Sequence, residues 1–389
     1  IMKKFSVVIR AFIPAFAVII LCSCVKENLS TNNWKKMEHE SIFTVKQEVA
    51  FMAAINFANA MFQNTTTKAS DNRALANVEV LMPSAISTKS SGAYPIGYLF
   101  NFADNKGYVL ISADKRYKDR VYMASEQGKL SLDNLRKSPY AFILDYIEHY
   151  QERAYEEKPV MTKADDGSYS TLETITSTNT KGPLLSTKWD QYFPYNYYLS
   201  TNFSYGYIPM GCTAIAMGQT LAYYQKPAVI ATGGINYNID WNTIANQTYS
   251  NTYPYLTNDS ESWNMAVSYF TYAIGKLIGI NYENAQSGAT FTQVRNAYSA
   301  IGAYYSHSEN YSIDNITTSL NSNKPVYIRA SESNSSIGHA WVIDGYKQLT
   351  VEIATYDENG NIVENTILNN DYNYTSYRKY WHCNFGWKG

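Results

Sequence analysis

Four cysteines in 389 residues, at positions 22, 24, 212 and 383, deny this chain the covalent and metal staples on which small secreted domains rely. Two sit together near the start and the other two lie far apart, so neither a disulfide framework nor a four-ligand zinc cluster can be assembled. Each cysteine needs its own explanation, and no metal or cofactor is expected. The composition points to apolar cores instead: 45% hydrophobic against 17% charged residues is too apolar for a disordered polymer, and the length suits two compact units plus appendages. A net charge of -1, from 32 basic and 33 acidic residues, leaves no broad cationic surface to release counterions, which argues against a nucleic-acid partner.

The first two cysteines close an export signal. Lys3, Lys4 and Arg10 make a basic start, Ala11 to Leu21 is apolar but too short to span a bilayer, and Leu21-Cys22-Ser23-Cys24 ends it. Ser23 before Cys24 resembles the bacterial lipoprotein box, where a small residue precedes the cysteine that becomes lipidated; Leu21 before Cys22 does not fit it. The resemblance implies a signal peptide over 1–24, a membrane anchor through lipid on Cys24, and an exported protein at the outer membrane or cell surface. A plain signal peptide cleaved nearby is the other reading.

Composition then shifts once. Of the 36 tyrosines 26 follow Lys181, as do six of the seven tryptophans. Residues 163–181, rich in Ser, Thr, Asp and Gly without apolar periodicity, read as an exposed connection open to proteolysis between a domain at 25–162 and another at 182–389. In the first domain the spacing predicts a helix over Glu48 to Phe62. Two paired strands, 98–102 and 108–112, follow around Asp104-Asn105-Lys106-Gly107, and a second helix is opened by Ser138 and Pro139 and runs to Tyr150.

The second domain holds the chemistry. Pro209 to Gln219 turns at Gly211 and continues as a small-residue, apolar helix until Pro227 stops it, which puts Cys212 at a helix N-terminus. Unpaired amides and the positive end of the helix dipole favour a thiolate there. Taken alone, a cysteine in such a helix reads better as an inert packing residue. A base is offered 127 residues downstream, where a polar loop runs into His339 and then into the apolar strand Ala340 to Asp344; by itself His339 reads equally as a structural histidine. Residues 347–379 read as a long hairpin turning at 357–361, and Cys383, beside His382, reads as a core residue.

Three motifs, Gly211-Cys212-Thr213-Ala214, Gly338-His339-Ala340-Trp341-Val342-Ile343-Asp344-Gly345-Tyr346 and His382-Cys383-Asn384-Phe385-Gly386-Trp387, together resemble the streptopain family of secreted bacterial cysteine peptidases. Gly107-Tyr108-Val109-Leu110-Ile111-Ser112-Ala113-Asp114 is similar to the inhibitory propeptide domain that precedes them. The resemblance implies an α+β protein: a papain-like fold of a helical part plus an antiparallel sheet, preceded by an α+β propeptide domain. It implies an endopeptidase made as a zymogen, in which Cys212 is the nucleophile and His339 the general base and acid. Trp189 to Asn196 resembles the family's Gln-x-x-Pro-Tyr-Asn, so Gln191 is expected to complete the oxyanion hole with the Cys212 amide.

Asn384 is expected to orient His339, with Phe385, standing where the family has Trp, and Trp387 as cleft aromatics. The alternative readings are a turn-flanking glutamine for Gln191 and a turn residue before Gly386 for Asn384. Protein or peptide substrates are expected, with the chain's own propeptide as intramolecular inhibitor until cleavage near Lys181-Gly182 opens the mature domain to release. The family continues past Trp387-Lys388-Gly389 into a further turn and strand, so the C-terminus is expected to be truncated. The competing readings are an inactive surface lipoprotein that binds peptides or glycans, and a cysteine amidase acting on cell-wall peptides.

Overall fold

The computed structural model describes residues 44–62, 73–83, 95–114, 121–137, five positions within 141–148, 169–202, 208–245, 261–282, 288–331 except 309, 338–357 and 374–386. The leader with Cys22 and Cys24, Ser138 and Pro139, the hairpin turn and Trp387 lie outside them. The chain divides into two units. One comprises Thr180–Lys347 and Tyr380–Gly389; the other holds the described residues before Thr180 together with Gln348–Lys379.

In the N-terminal unit, helix α1 (Gln47–Phe62) packs on an antiparallel meander of β1 (Leu75–Leu81), β2 (Gly97–Phe102), β3 (Tyr108–Ser112) and β4 (Val121–Ser125). Every residue of β2 is buried, as an apolar central strand covered on both faces must be. Period-two alternation divides the work. Phe100 and Phe102 turn to α1, their rings 5.3 and 6.4 Å from Phe51, while Leu99 and Leu110 pack with Leu132 and Leu135 of the short α2 (Leu132–Arg136) and with Ile143, Leu144 and Ile147. The predicted helix and strand pair are thus present, and the described positions of 141–148 are helical; α2 was not foreseen.

The segment read as an irregular connection takes a different form. Residues Tyr169–Lys181 make strand β5. Thr174, Thr176, Thr178 and Thr180 alternate along it, and threonine's branched side chain suits a pleated surface even where, as after Ile175, apolar residues stop. Exposure is as expected, with Ser177, Thr178, Asn179 and Thr180 all open to solvent.

The C-terminal unit sets helices beside a sheet. The helices are α3 (Tyr197–Asn202), α4 (Cys212–Tyr224), α5 (Trp241–Ala245), α6 (Glu261–Ile278), α7 (Phe291–Ala300) and α8 (Ile313–Asn321). A small ribbon, β6 (Val229–Thr232) with β7 (Ile235–Asn238), lies among them. Helix α4 is apolar on all sides and is buried on all sides from Thr213 to Leu221, which makes it the core helix. Gly218 lets Trp189 lie directly on it, since a Cβ there would meet the indole at 3.0 Å.

The sheet is built on β9 (Gly338–Asp357), whose first residues pair antiparallel with β8 (Val326–Ser331) and which also neighbours β5 and β10 (Tyr374–Asn384). The α+β class expected from the sequence is the one observed. The described residues Gln348–Asp357 of β9 and Tyr374–Lys379 of β10 cluster with the N-terminal unit by contacts.

Candidate active site

Gly211 precedes α4 with φ 92° and ψ 138°, a conformation closed to residues with a Cβ, and it turns the chain so that Cys212 is the first helical residue. The amides of the first turn therefore have no intrahelical acceptor. The half-buried thiol packs against Ala340 and Val342 of β9, Leu185 and Tyr327. Burial raises its pKa above the ordinary value; the Ala340 backbone, Thr213 and the nearby Arg329 cation oppose that rise. Its Sγ lies 4.0 Å from the Thr213 hydroxyl.

Gln191 is brought to the same helix end by the main chain. The Met210 amide, two residues before Cys212, donates to the Gln191 carbonyl at 2.7 Å. Asp190 shapes this turn, its Oδ1 accepting from the amides of Gln191 (2.6 Å) and Tyr192 (3.4 Å), and Asn196 closes it by donating to the Ile208 carbonyl. The Gln191 side chain is buried and makes no hydrogen bond among the described residues, so its amide protons are available to a ligand.

His339 sits at the mouth of β9, 2% exposed. Its ring stacks on Trp341 (centroids 6.1 Å, planes 11° apart) and on Phe385 (6.1 Å, 29°). Nε2 lies 3.2 Å from the Phe385 carbonyl, which can only accept, so Nε2 carries the proton and Nδ1 is the basic nitrogen. Burial lowers the imidazole pKa to about 4, against a smaller upward pull from that carbonyl. Successive residues of a strand face opposite ways. His339 therefore shares the Trp341 side of β9, Cys212 lies by the Ala340 backbone, and no hydrogen bond joins the two among the described residues.

Asn384, expected to orient His339, has other partners for its side chain among the described residues. Its Oδ1 accepts from Gln219 Nε2 (3.1 Å) and from the Gly386 amide (3.2 Å), and its Nδ2 donates one proton to the Thr187 carbonyl (2.7 Å), so both acceptor positions of Oδ1 go to groups other than His339. The acceptor at His339 is the backbone of the next residue. Phe385 does lie against the imidazole as an aromatic cover. Cys383 packs with Trp341, Ile343 and Trp381, and burial together with the Asp344 carboxylate pushes its thiol up to about 12.

Three polar side chains near the site were not singled out in the sequence reading. Gln219, wholly buried, also accepts from the Trp189 amide at 3.3 Å. Asp344, in the middle of an apolar strand, accepts from the Leu185 amide at 2.9 Å and pairs with His382 at 2.6 Å. Arg329 faces the Ala340 position across the strand pair. A polar residue inside an apolar run was the available signal for the first two.

Comparison with known proteins decides the family. The model of the Peptidase C10 family matches residues 189–389, half of the chain, and that of the Spi protease inhibitor matches 44–152. The chain belongs to the Peptidase C10 family. This peptidase is a cysteine endopeptidase preceded by an inhibitory propeptide domain, the organisation of a zymogen. Among solved structures it is similar to a prointerpain A fragment from Prevotella intermedia, with 21% identity over 80% of this chain and 90% of that one (TM-score 0.48). It is also similar to active interpain A cysteine protease from the same organism, with 22% identity over 44% and 80% (TM-score 0.31). No curated protein matches the peptidase.

Proposed function

We propose that this peptidase hydrolyses protein substrates through an acyl-enzyme on Cys212, with His339 Nδ1 removing the thiol proton and later protonating the leaving amine. The Gln191 side chain and the Cys212 amide receive the oxyanion. The observation that supports this reading is that the Met210 to Gln191 main-chain bond brings the Gln191 segment, with its buried side chain, to the helix N-terminus that Gly211-Cys212 opens. Neutral donors beside a thiol suit acyl transfer, and the family supplies the peptide bond as substrate.

The geometry described is that of a resting enzyme. Both groups are neutral: burial holds the thiol up and the imidazole down. Activation would follow removal of the propeptide domain by cleavage in the exposed strip ending at Lys181-Gly182, with Nε2 still held by the Phe385 carbonyl and Nδ1 left for the thiol. The leader and the Ser23-Cys24 pair support export with lipid attachment at Cys24.

A thiol-directed epoxide that alkylates the processed protein, its ring opened by the Cys212 sulfur, and fails on Cys212→Ala and His339→Ala, is the expected result. A processed protein that cleaves casein after Cys212→Ala would overturn the assignment. Metabolic labelling with a fatty acid, lost on Cys24→Ser, tests the anchor.

A further inference from the structure

Helix α4 bears a second functional group besides Cys212. Gln219 lies seven residues on, two turns along the same face, and is the buried carboxamide of an otherwise small and apolar helix. Leaving such a group unpaired would cost free energy, and both ends are used. Oε1 accepts from the Trp189 amide at 3.3 Å and Nε2 donates to Asn384 Oδ1 at 3.1 Å. Asn384 in turn takes the Gly386 amide and gives Nδ2 to the Thr187 carbonyl.

Three main-chain groups fix both carboxamides in one orientation. The Trp189 and Gly386 amides can only donate and the Thr187 carbonyl can only accept, so turning either side chain over sets like against like. The chain segments so tied are the ones that matter. Thr187 to Trp189 runs directly into Gln191, and Asn384 to Gly386 brackets the carbonyl to which His339 donates. Resting on the assignment of Cys212, His339 and Gln191 proposed above, we infer that Gln219 is a positioning residue, holding the Gln191 segment and the support of His339 in register with the helix that presents Cys212.

The arrangement makes chemical sense of a polar network in a core. A shift of about 1 Å at either segment would move a reacting group out of line, a displacement that can cost on the order of 10²-fold in rate. Gln219 touches no reacting atom, so its effect is on the geometry of turnover and not on substrate affinity.

The test uses the whole chain, expressed intact, processed and counted by titration with the epoxide probe. Gln219→Leu, of similar size but without either bond, is expected to lower kcat roughly ten- to hundred-fold with KM changed by less than about two-fold. Gln219→Glu keeps the shape and the acceptor for Trp189 but can donate to Asn384 only when protonated. Its kcat relative to wild type is expected to rise as the pH falls, a recovery that simple loss of packing would not give. Should Gln219→Leu fail to fold, the pH-dependent recovery of Gln219→Glu alone decides. Unchanged kcat per titrated site, or a Gln219→Glu to wild-type ratio flat with pH, would overturn the inference even if the variants melt earlier. Retained turnover in Cys212→Ala would instead sink the underlying assignment, so the two failures are separable.

Discussion

His339 gives its Nε2 proton to the main-chain carbonyl of Phe385 at 3.2 Å, and the Phe385 ring lies on the same imidazole. One residue thus sets the tautomer and excludes water. The imidazole pKa falls to about 4 for that second reason, with a direct consequence for stability. Between pH 6.5 and 4 the unfolded chain binds a proton that folded His339 refuses, so stability rises with pH across this window and is lost on acidification. The contribution is about 3 kcal/mol once the pH exceeds 6.5. Guanidinium titrations between pH 4 and 7 should show a slope in wild type that His339→Gln lacks, and Phe385→Leu should raise the imidazole titration seen by NMR toward its ordinary value.

Arg329 faces the Ala340 position on the neighbouring strand, and its charge lowers the pKa of a thiol that burial raises. Removing it should leave burial unopposed by that cation. Arg329→Ala is expected to move the pH profile of Cys212 alkylation by iodoacetamide to more alkaline values, while Arg329→Lys stays close to wild type. Identical profiles in the three proteins would show that Arg329 does not act on the thiol.

Gly211 holds a backbone conformation with φ 92° and ψ 138° immediately before the nucleophile. A Cβ introduced there is strained by about 1–3 kcal/mol, and relief requires the turn to rotate. Because the turn aims both the Cys212 side chain and its amide, Gly211→Ala should lower kcat more than it lowers the melting temperature would suggest. Steady-state kinetics on folded, titrated enzyme and a thermal melt check the pair of effects.

Local signals made part of this site legible in advance. Glycine before cysteine, a run of small apolar residues and a proline stop describe α4 without reference to anything else in the chain, and the apolar run after His339 does the same for β9. What stayed hidden depends on partners distant in sequence. Asn384 offered an amide to His339 on paper, but its three bonds go to Gln219, Gly386 and Thr187, and the job at the imidazole falls to a carbonyl, which every residue possesses and no motif can advertise. Strand β5 was missed for another reason: its alternating threonines carry β preference but no apolar pattern.

Asp344 accounts for one more feature, the anchoring of the chain just after the proposed processing strip. Its carboxylate accepts from the Leu185 amide at 2.9 Å and pairs with His382 at 2.6 Å, while its own carbonyl accepts from the Leu184 amide at 2.9 Å. The carboxylate is all but wholly buried, whereas the His382 side chain is 54% exposed. Loss of the two partners should therefore differ in cost. Asp344→Ala strands the Leu185 amide and removes a charge-assisted bond, an effect of about 3 kcal/mol, whereas His382→Ala, at a solvated position, should cost about 1 kcal/mol or less. Urea titrations at pH 7 measure both. If the ranking holds, Asp344→Ala should also free the segment from Gly182 to Leu185, seen as faster hydrogen exchange at Leu184 and Leu185 in the processed enzyme, while exchange in α4 stays slow. Equal protection in wild type and variant would mean that these residues are held by packing and not by the Asp344 carboxylate.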